Sequence, residues 1–116
     1  MTGTQNTNKW LARLDRIILE RISDVELDNK KLAEKMGISE RQLFRKVKAL
    51  VGKSPQKYLR QSRLGQAKQY LEQGRYRTVK ETAFAVGYVN GSYFARQFEA
   101  EFGAQPYQIL KAAGWR

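Results

Sequence analysis

The stretch that decides the fold occurs twice: DNKKLAEKMGISERQLFRKVKALVGKSP at residues 28–55, and TVKETAFAVGYVNGSYFARQFEAEFGAQP at residues 78–106. From the start of each stretch to its first glycine, matching residues are 50 positions apart in the chain. This offset of 50 pairs Ala33 with Ala83 and Gly37 with Gly87. One extra residue in the second turn then makes the offset 51, and the pairs are Leu43 with Phe94, Arg45 with Arg96, Val47 with Phe98, Gly52 with Gly103, and Pro55 with Pro106. Self-similarity at a fixed period indicates one supersecondary unit used twice.

Each copy has the pattern of a short helix, a tight turn and a longer helix, which is the layout of a helix-turn-helix. Ala33 and Ala83 lie one turn before the glycine, where a small side chain lets two crossing helices approach closely. Gly37 and Gly87 can supply the positive φ that a tight corner requires. One copy alone would fit an ordinary helical hairpin equally well. Two copies in register on a basic chain favour the helix-turn-helix.

Helical periodicity and capping residues recur along the rest of the chain, and strand patterns are nearly absent. The expected helix caps are Asp28, Ser39 with Gln42 in a capping box, Ser54, Thr78 and Asn90. We predict an all-α fold of about seven helices, with two helix-turn-helix units bridged by a long central helix. The predicted parts are a polar flexible linker or cloning remnant at 1–8, the first helix-turn-helix subdomain at 9–52, the connecting helix at 53–74, and the second subdomain at 75–114.

The charge of the chain points to a polyanionic partner. Lys and Arg outnumber Asp and Glu 22 to 11, which gives a net charge of +11. Much of the excess falls in residues 40–63, where the only acid is Glu40 and the basic side chains are Arg41, Arg45, Lys46, Lys48, Lys53, Lys57, Arg60 and Arg63. A focused cluster is typical of a nucleic-acid-binding face, whereas a solubility coat would be spread evenly.

Several classes of function are excluded or disfavoured by composition. The chain has no Cys and no His, which removes thiolate zinc sites, cysteine nucleophiles and the commonest general base. No carboxylates cluster at helical spacing, so we expect no enzymatic activity and no cofactor. No apolar run approaches the roughly 20 residues that span a bilayer, so we expect no membrane contact by this domain and a cytoplasmic, nucleoid-associated location. The usual RNA modules have aromatic strands or a Gly-rich clamp, and the sequence has neither.

The sequence resembles the AraC/XylS family of bacterial transcription factors over roughly residues 9–110. In the first half the residues that carry the resemblance are Leu32 to Ser39, Leu43 to Lys46, and Gly52 to Pro55. In the second half they are Ala83 to Tyr88, Ser92 to Phe94, Arg96, Phe98, Phe102 and Gly103. The resemblance implies a DNA-binding domain with two helix-turn-helix units. The first half is similar to C-terminal domains of response regulators and hybrid two-component sensors. That similarity implies a sensing or receiver region N-terminal to this domain in a parent protein, and RNA polymerase as a further partner.

In the first copy, helical periodicity predicts a buried stripe of Leu43, Val47 and Leu50, and an outward face with Arg41, Arg45 and Lys48. The resemblance implies that Arg41, Phe44 and Arg45 face the DNA bases. Arginine can donate two hydrogen bonds to guanine, which is worth about 1–3 kcal/mol of discrimination. Phe44 fits two roles equally well, a contact to a thymine methyl or a partly buried packing residue.

In the second copy, Phe94, Phe98 and Phe102 are predicted to be buried, which turns Ser92, Arg96 and Glu99 outward. The residues that the resemblance places at base-facing positions are Gly91, Ser92, Tyr93 and Arg96. Glu99 stands where the first copy has Lys48 and where the family usually has a basic residue. We therefore expect less phosphate binding from the second unit.

Phosphate contacts are expected from Lys48 and from the start of the connecting helix, where Lys53, Ser54 and Lys57 surround free amides and the positive end of the helix dipole. Arg60 and Arg63 fit a phosphate contact or an ion pair with a carboxylate equally well.

These features predict sequence-specific binding to double-stranded DNA by two recognition helices, at about 40–51 and 91–102. On straight DNA, successive major-groove segments on one side lie about 34–36 Å apart. Because the two helices differ in sequence, the site should be asymmetric. The alternative is a basic helical adaptor that binds an acidic protein and has only non-specific affinity for nucleic acid.

Overall fold

The computed structural model describes the backbone of residues 2–114 and the side chains of residues 9–114. This part of the chain forms seven α-helices and no strand, which confirms the all-α prediction. In chain order the helices are α1 (Thr2–Glu20), α2 (Asn29–Met36), α3 (Glu40–Val51), α4 (Pro55–Gln73), α5 (Val79–Ala85), α6 (Gly91–Phe102) and α7 (Pro106–Ala112).

The start of α1 differs from the sequence prediction. The sequence predicted a linker at residues 1–8, whereas the backbone is helical from Thr2; Met1 lies outside the described residues. The segment contains no proline that would interrupt a helix. Once the helical turns around Leu14 are held by packing, each added residue gains one backbone hydrogen bond, so the helix can extend through polar sequence.

Local capping chemistry sets the other helix starts as predicted. The Asp28 carboxylate accepts a hydrogen bond from the Lys31 amide at 2.9 Å, and Ser39 and Gln42 form the reciprocal capping box. The remaining predicted caps accept from the amide three residues on, and they are Ser54, Thr78 and Asn90. Each cap satisfies an amide that has no partner inside its own helix.

The chain divides into two compact units within α4. The first unit contains the residues up to Arg21 and Leu27–Arg60, and the second contains Ile22–Glu26 and the residues from Gln61 on. The connecting helix predicted at 53–74 is therefore shared between the two units and does not form a separate unit. Its apolar residues explain the division, because Leu59 belongs to the core of the first unit and Leu64 to the core of the second.

The core of the first unit joins the two helices of the helix-turn-helix to α1 and the start of α4. Its buried residues are Leu14, Ile18, Leu27, Leu32, Ala33, Met36, Leu43, Val47 and Leu59. Leu50, expected in the buried stripe, is only partly buried. At the edge of this core the Tyr58 hydroxyl donates to Asp15 Oδ1 at 2.5 Å. Burial and the neighbouring carboxylate raise the pKa of Tyr58 above its usual range.

The second unit repeats the arrangement with aromatic side chains. The buried residues of its core are Ile22, Leu64, Ala67, Leu71, Ala83, Val86, Phe94, Phe98 and Leu110. Along α6 the ring centroids of Phe94 and Phe98 are 5.7 Å apart, and those of Phe98 and Phe102 are 4.8 Å apart. Phe102, expected to be buried, is partly exposed at the end of the helix. Pairs at such spacings add to the stabilisation from burial alone.

Both turns use glycine in the left-handed region, with φ of 71° at Gly37 and 91° at Gly87. The second corner is much tighter than the first. A Cβ at Gly87 would lie 2.6 Å from the Ile22 carbonyl oxygen and 2.9 Å from Arg63 Nε, whereas a Cβ at Gly37 would have nothing within 4 Å. Gly87 is thus required by a close approach of chain segments as well as by its φ.

Candidate nucleic-acid interface

The outward face of α3 carries the predicted base-facing residues of the first copy. Leu43 and Val47 are fully buried, which fixes the rotation of the helix about its axis. The side chains that this rotation leaves exposed are Arg41, Phe44, Arg45 and Lys48. Phe44 is 49% exposed, so much of its ring is available to a ligand.

Not every basic residue of the cluster lies on that face. Lys46 Nζ lies 5.0 Å from the ring centroid of Trp10, a cation–π contact with α1. Arg63 is half-buried, and its Nη2 donates to the main-chain oxygen of Asp24 at 2.6 Å. Burial also lowers the pKa of Arg63. Arg63 therefore holds the 22–26 segment within the second unit. The main-chain contact was not among the sequence-based options, whereas the attraction of the Asp24 carboxylate agrees with the ion-pair option.

The predicted phosphate residues lie around the junction of α3 and α4. Lys48 Nζ donates to the Gly52 carbonyl at 3.3 Å, just beyond the end of α3. The Ser54 hydroxyl accepts from the Lys57 amide at 3.2 Å and so caps α4. The Lys57 side chain is exposed, and Lys53 is partly exposed between the two helices. The structure thus brings these four residues to one junction, which we call the basic junction.

The outward face of α6 is composed differently. Ser92, Tyr93 and Arg96 are exposed, and Arg96 lies 6.0 Å from the ring centroid of Tyr93. Tyr93 is 46% exposed. Gly91, the first residue of α6, is half-buried, and a Cβ there would meet nothing within 4 Å. The missing side chain leaves the start of α6 open to a close approach from outside.

The second copy has no counterpart of the basic junction. At the offset of 51, the residues that replace Lys48, Lys53, Ser54 and Lys57 are Glu99, Ala104, Gln105 and Gln108. Three lysines are thus replaced by one carboxylate and two uncharged side chains. The Gln105 amide donates to the Glu99 carboxylate, so Glu99 is tied to the junction of α6 and α7. Of these four changes only the one at Glu99 was predicted, although the same offset carried the signal for the other three.

A family model described as "Helix-turn-helix domain" matches residues 32–112, a range that includes both copies of the repeat. The chain belongs to the AraC-type helix-turn-helix family. This match confirms the resemblance to the AraC/XylS family, which contains transcription regulators.

This AraC-type domain is similar to one curated transcription activator and to two solved domains. The HTH-type transcriptional activator RhaS of Escherichia fergusonii is 32% identical over 111 residues, which are 94% of this chain and 38% of that protein. The C-terminal domain of AraT, a response regulator from Geobacillus stearothermophilus, superposes with a TM-score of 0.78 at 26% identity, covering 89% of this chain and 84% of that one. The DNA-binding domain of AdpA, a global transcriptional factor solved in complex with a target DNA, has a TM-score of 0.77 at 27% identity, covering 88% of this chain and 90% of that one.

The AraC-type domain spans between 7% and 38% of the length of the first curated relatives that it matches. Within residues 2–114, none of its helices combines the length and the apolar character that crossing a membrane requires.

Proposed function

We propose that this AraC-type domain binds double-stranded DNA in a sequence-specific way and that α3 and α6 read bases in the major groove. The observation that carries the proposal is the outward face of α3. Two arginines and a half-exposed phenylalanine project from a helix that buries Leu43 and Val47 on its opposite face, which is the arrangement that major-groove recognition needs. The likeness to the DNA-bound AdpA domain supports it.

Each helix has its own set of proposed base contacts. On α3, Arg41 and Arg45 are suited to guanine, and the exposed ring of Phe44 is suited to a thymine methyl. On α6 the proposed set is Gly91, Ser92, Tyr93 and Arg96. Because the two sets differ, the bound site is asymmetric.

Phosphate binding is concentrated in the first unit. The basic junction combines three lysines with the N-terminus of the 19-residue helix α4, whose first amides and dipole favour an anion. At the offset of 51 the second unit has no counterpart of this junction, and its exposed basic residues Arg75, Arg77 and Lys80 lie around the start of α5 instead. We infer that the first unit anchors the domain on DNA, whereas the second contributes base readout with little phosphate binding.

The wider context is also part of the proposal. RhaS is a transcriptional activator, and AraT is a response regulator whose solved domain is C-terminal. By analogy, this domain serves as the output part of a larger signalling protein with an N-terminal sensing or receiver region. It acts in the cytoplasm at the nucleoid and recruits or blocks RNA polymerase.

Replacing Lys57 by glutamine, the residue type of Gln108 in the second copy, tests the basic junction. Loss of one phosphate contact should weaken binding to a random-sequence duplex about five- to tenfold near 0.1 M salt, and should lower the slope of log K against log salt by about one. Fluorescence anisotropy over a salt series measures both quantities. Lys111→Gln, an exposed lysine outside the junction, is the matched control. Equal effects of the two changes would mean that only net charge matters, as the adaptor alternative predicts.

Replacing Glu99 by lysine restores the charge that the first copy has at Lys48. We expect binding to the same duplex to strengthen by a similar factor, and the salt slope to rise by about one. Glu72→Lys makes the same charge change at an exposed position of α4 and serves as the control. If both variants gain equally, Glu99 does not face a phosphate.

A further inference from the structure

The two most exposed large apolar side chains among the described residues are Phe84 at 65% and Val89 at 74%. Both line one open groove, together with Tyr76, Ala85 and Tyr88. The groove lies wholly within the second unit, along α5 and the turn that precedes α6, and has a volume of about 560 Å³. A contiguous apolar surface of this kind marks an interaction site more often than single exposed residues do.

The first copy of the repeat shows that the fold does not require this surface. At the offset of 50, Phe84 corresponds to Glu34 and Ala85 to Lys35, and both of those side chains are exposed. The same short helix therefore packs equally well with charged residues at these positions. The packing of α5 therefore does not require Phe84, and together with Val89 it leaves a contiguous apolar patch open to a partner.

The charges at the edge of the groove indicate what kind of partner fits. Lys80 lines the groove, and the Arg75 guanidinium lies 5.8 Å from the ring centroid of Tyr76, which also lines it. The acidic side chain among the lining residues is Glu81. The apolar surface is therefore bordered mainly by positive charge, which favours a ligand with apolar anchors and flanking carboxylates.

We propose that this groove binds an acidic amphipathic helix of another protein. An open surface with few polar groups suits a helix with anchors at i, i+3, i+4 and i+7, whereas small-molecule sites enclose their ligand and place polar groups around it. Gly91, the first residue of α6, also lines the groove. A bound partner would thus lie beside the helix proposed to read DNA, and protein and DNA would use adjoining surfaces.

The test uses a synthetic helical peptide with leucines at the four anchor positions and glutamates at flanking positions. It is titrated into the isotopically labelled chain while amide chemical shifts are recorded. We expect the largest changes at Phe84, Ala85 and Val89. Phe84→Gln and Val89→Gln should each weaken binding about tenfold or more, and Tyr107→Gln, an exposed aromatic outside the groove, should leave it unchanged. A peptide with lysines in place of the glutamates should not bind.

Three results would overturn the proposal. Shifts centred on the Arg41 and Arg45 face would show general attraction to acid, and equal binding by the lysine peptide would remove the charge argument. If Phe84→Gln weakened duplex binding and not peptide binding, the groove would be a DNA contact. The peptide experiment contains no DNA, so its outcome is independent of whether the proposed DNA-binding function holds.

Discussion

Alanine at Gly87 is expected to lower the free energy of unfolding by about 2–5 kcal/mol, whereas alanine at Gly37 should lower it by about 1–2 kcal/mol. The two glycines are equivalent positions of the repeat, and each has positive φ, which costs an L-residue about 1–2 kcal/mol. Only at Gly87 would the new Cβ lie 2.6 Å from a backbone oxygen, that of Ile22. Overpacking of this kind adds about 1–3 kcal/mol, because backbone must shift to relieve it.

Urea denaturation of the two variants, followed by circular dichroism, measures the difference. The comparison cancels the backbone cost that both positions share. Equal destabilisation would mean that the 22–26 segment moves away from Gly87 at little cost, and that the tight contact at this corner does not stabilise the second unit.

Phe98→Ala is expected to lower the free energy of unfolding by about 3–5 kcal/mol. Phe98 is fully buried, and its ring lies between those of Phe94 and Phe102. Truncation would leave a cavity at the centre of the aromatic stack. Phe84→Ala removes the same group from a side chain that is 65% exposed and should change stability by no more than about 0.5 kcal/mol.

Thermal and urea unfolding of both variants provide the measurement. A small loss for Phe98→Ala would show that the aromatic stack rearranges to fill the cavity. A large loss for Phe84→Ala would show that Phe84 belongs to the folded core, which would also remove the reason to assign it to a partner.

Most of the fold could be predicted from short-range sequence patterns, such as helix caps. Asp28, Ser39 and Asn90 bond to amides only three residues away, so their capping role depends on nearby sequence alone. The division within α4 could not be predicted in this way. The apolar residues of α4 are divided between two cores, with Leu59 packed in one and Leu71 in the other, and only tertiary packing reveals that division.

The candidate interface was predictable where helical periodicity decides exposure, as at Arg41 and Arg96. It was not predictable where the partner is distant in sequence. Arg63 is 39 residues from Asp24, and its acceptor is a main-chain oxygen that no charge pattern indicates. The groove was not predicted from the sequence either, because an apolar residue on a helix, such as Phe84, is normally expected to face a core.

The most direct test of the central claim is selection of bound sites from a randomised duplex pool, with sequencing of what is retained at moderate salt. We expect an asymmetric site with two blocks about one helical turn of DNA apart. Arg41→Ala should relax base preference in one block and Arg96→Ala in the other, each by about 1–3 kcal/mol at the affected position. Absence of an enriched sequence, with binding that disappears as salt rises, would contradict sequence-specific recognition and leave only general attraction between a basic protein and a polyanion.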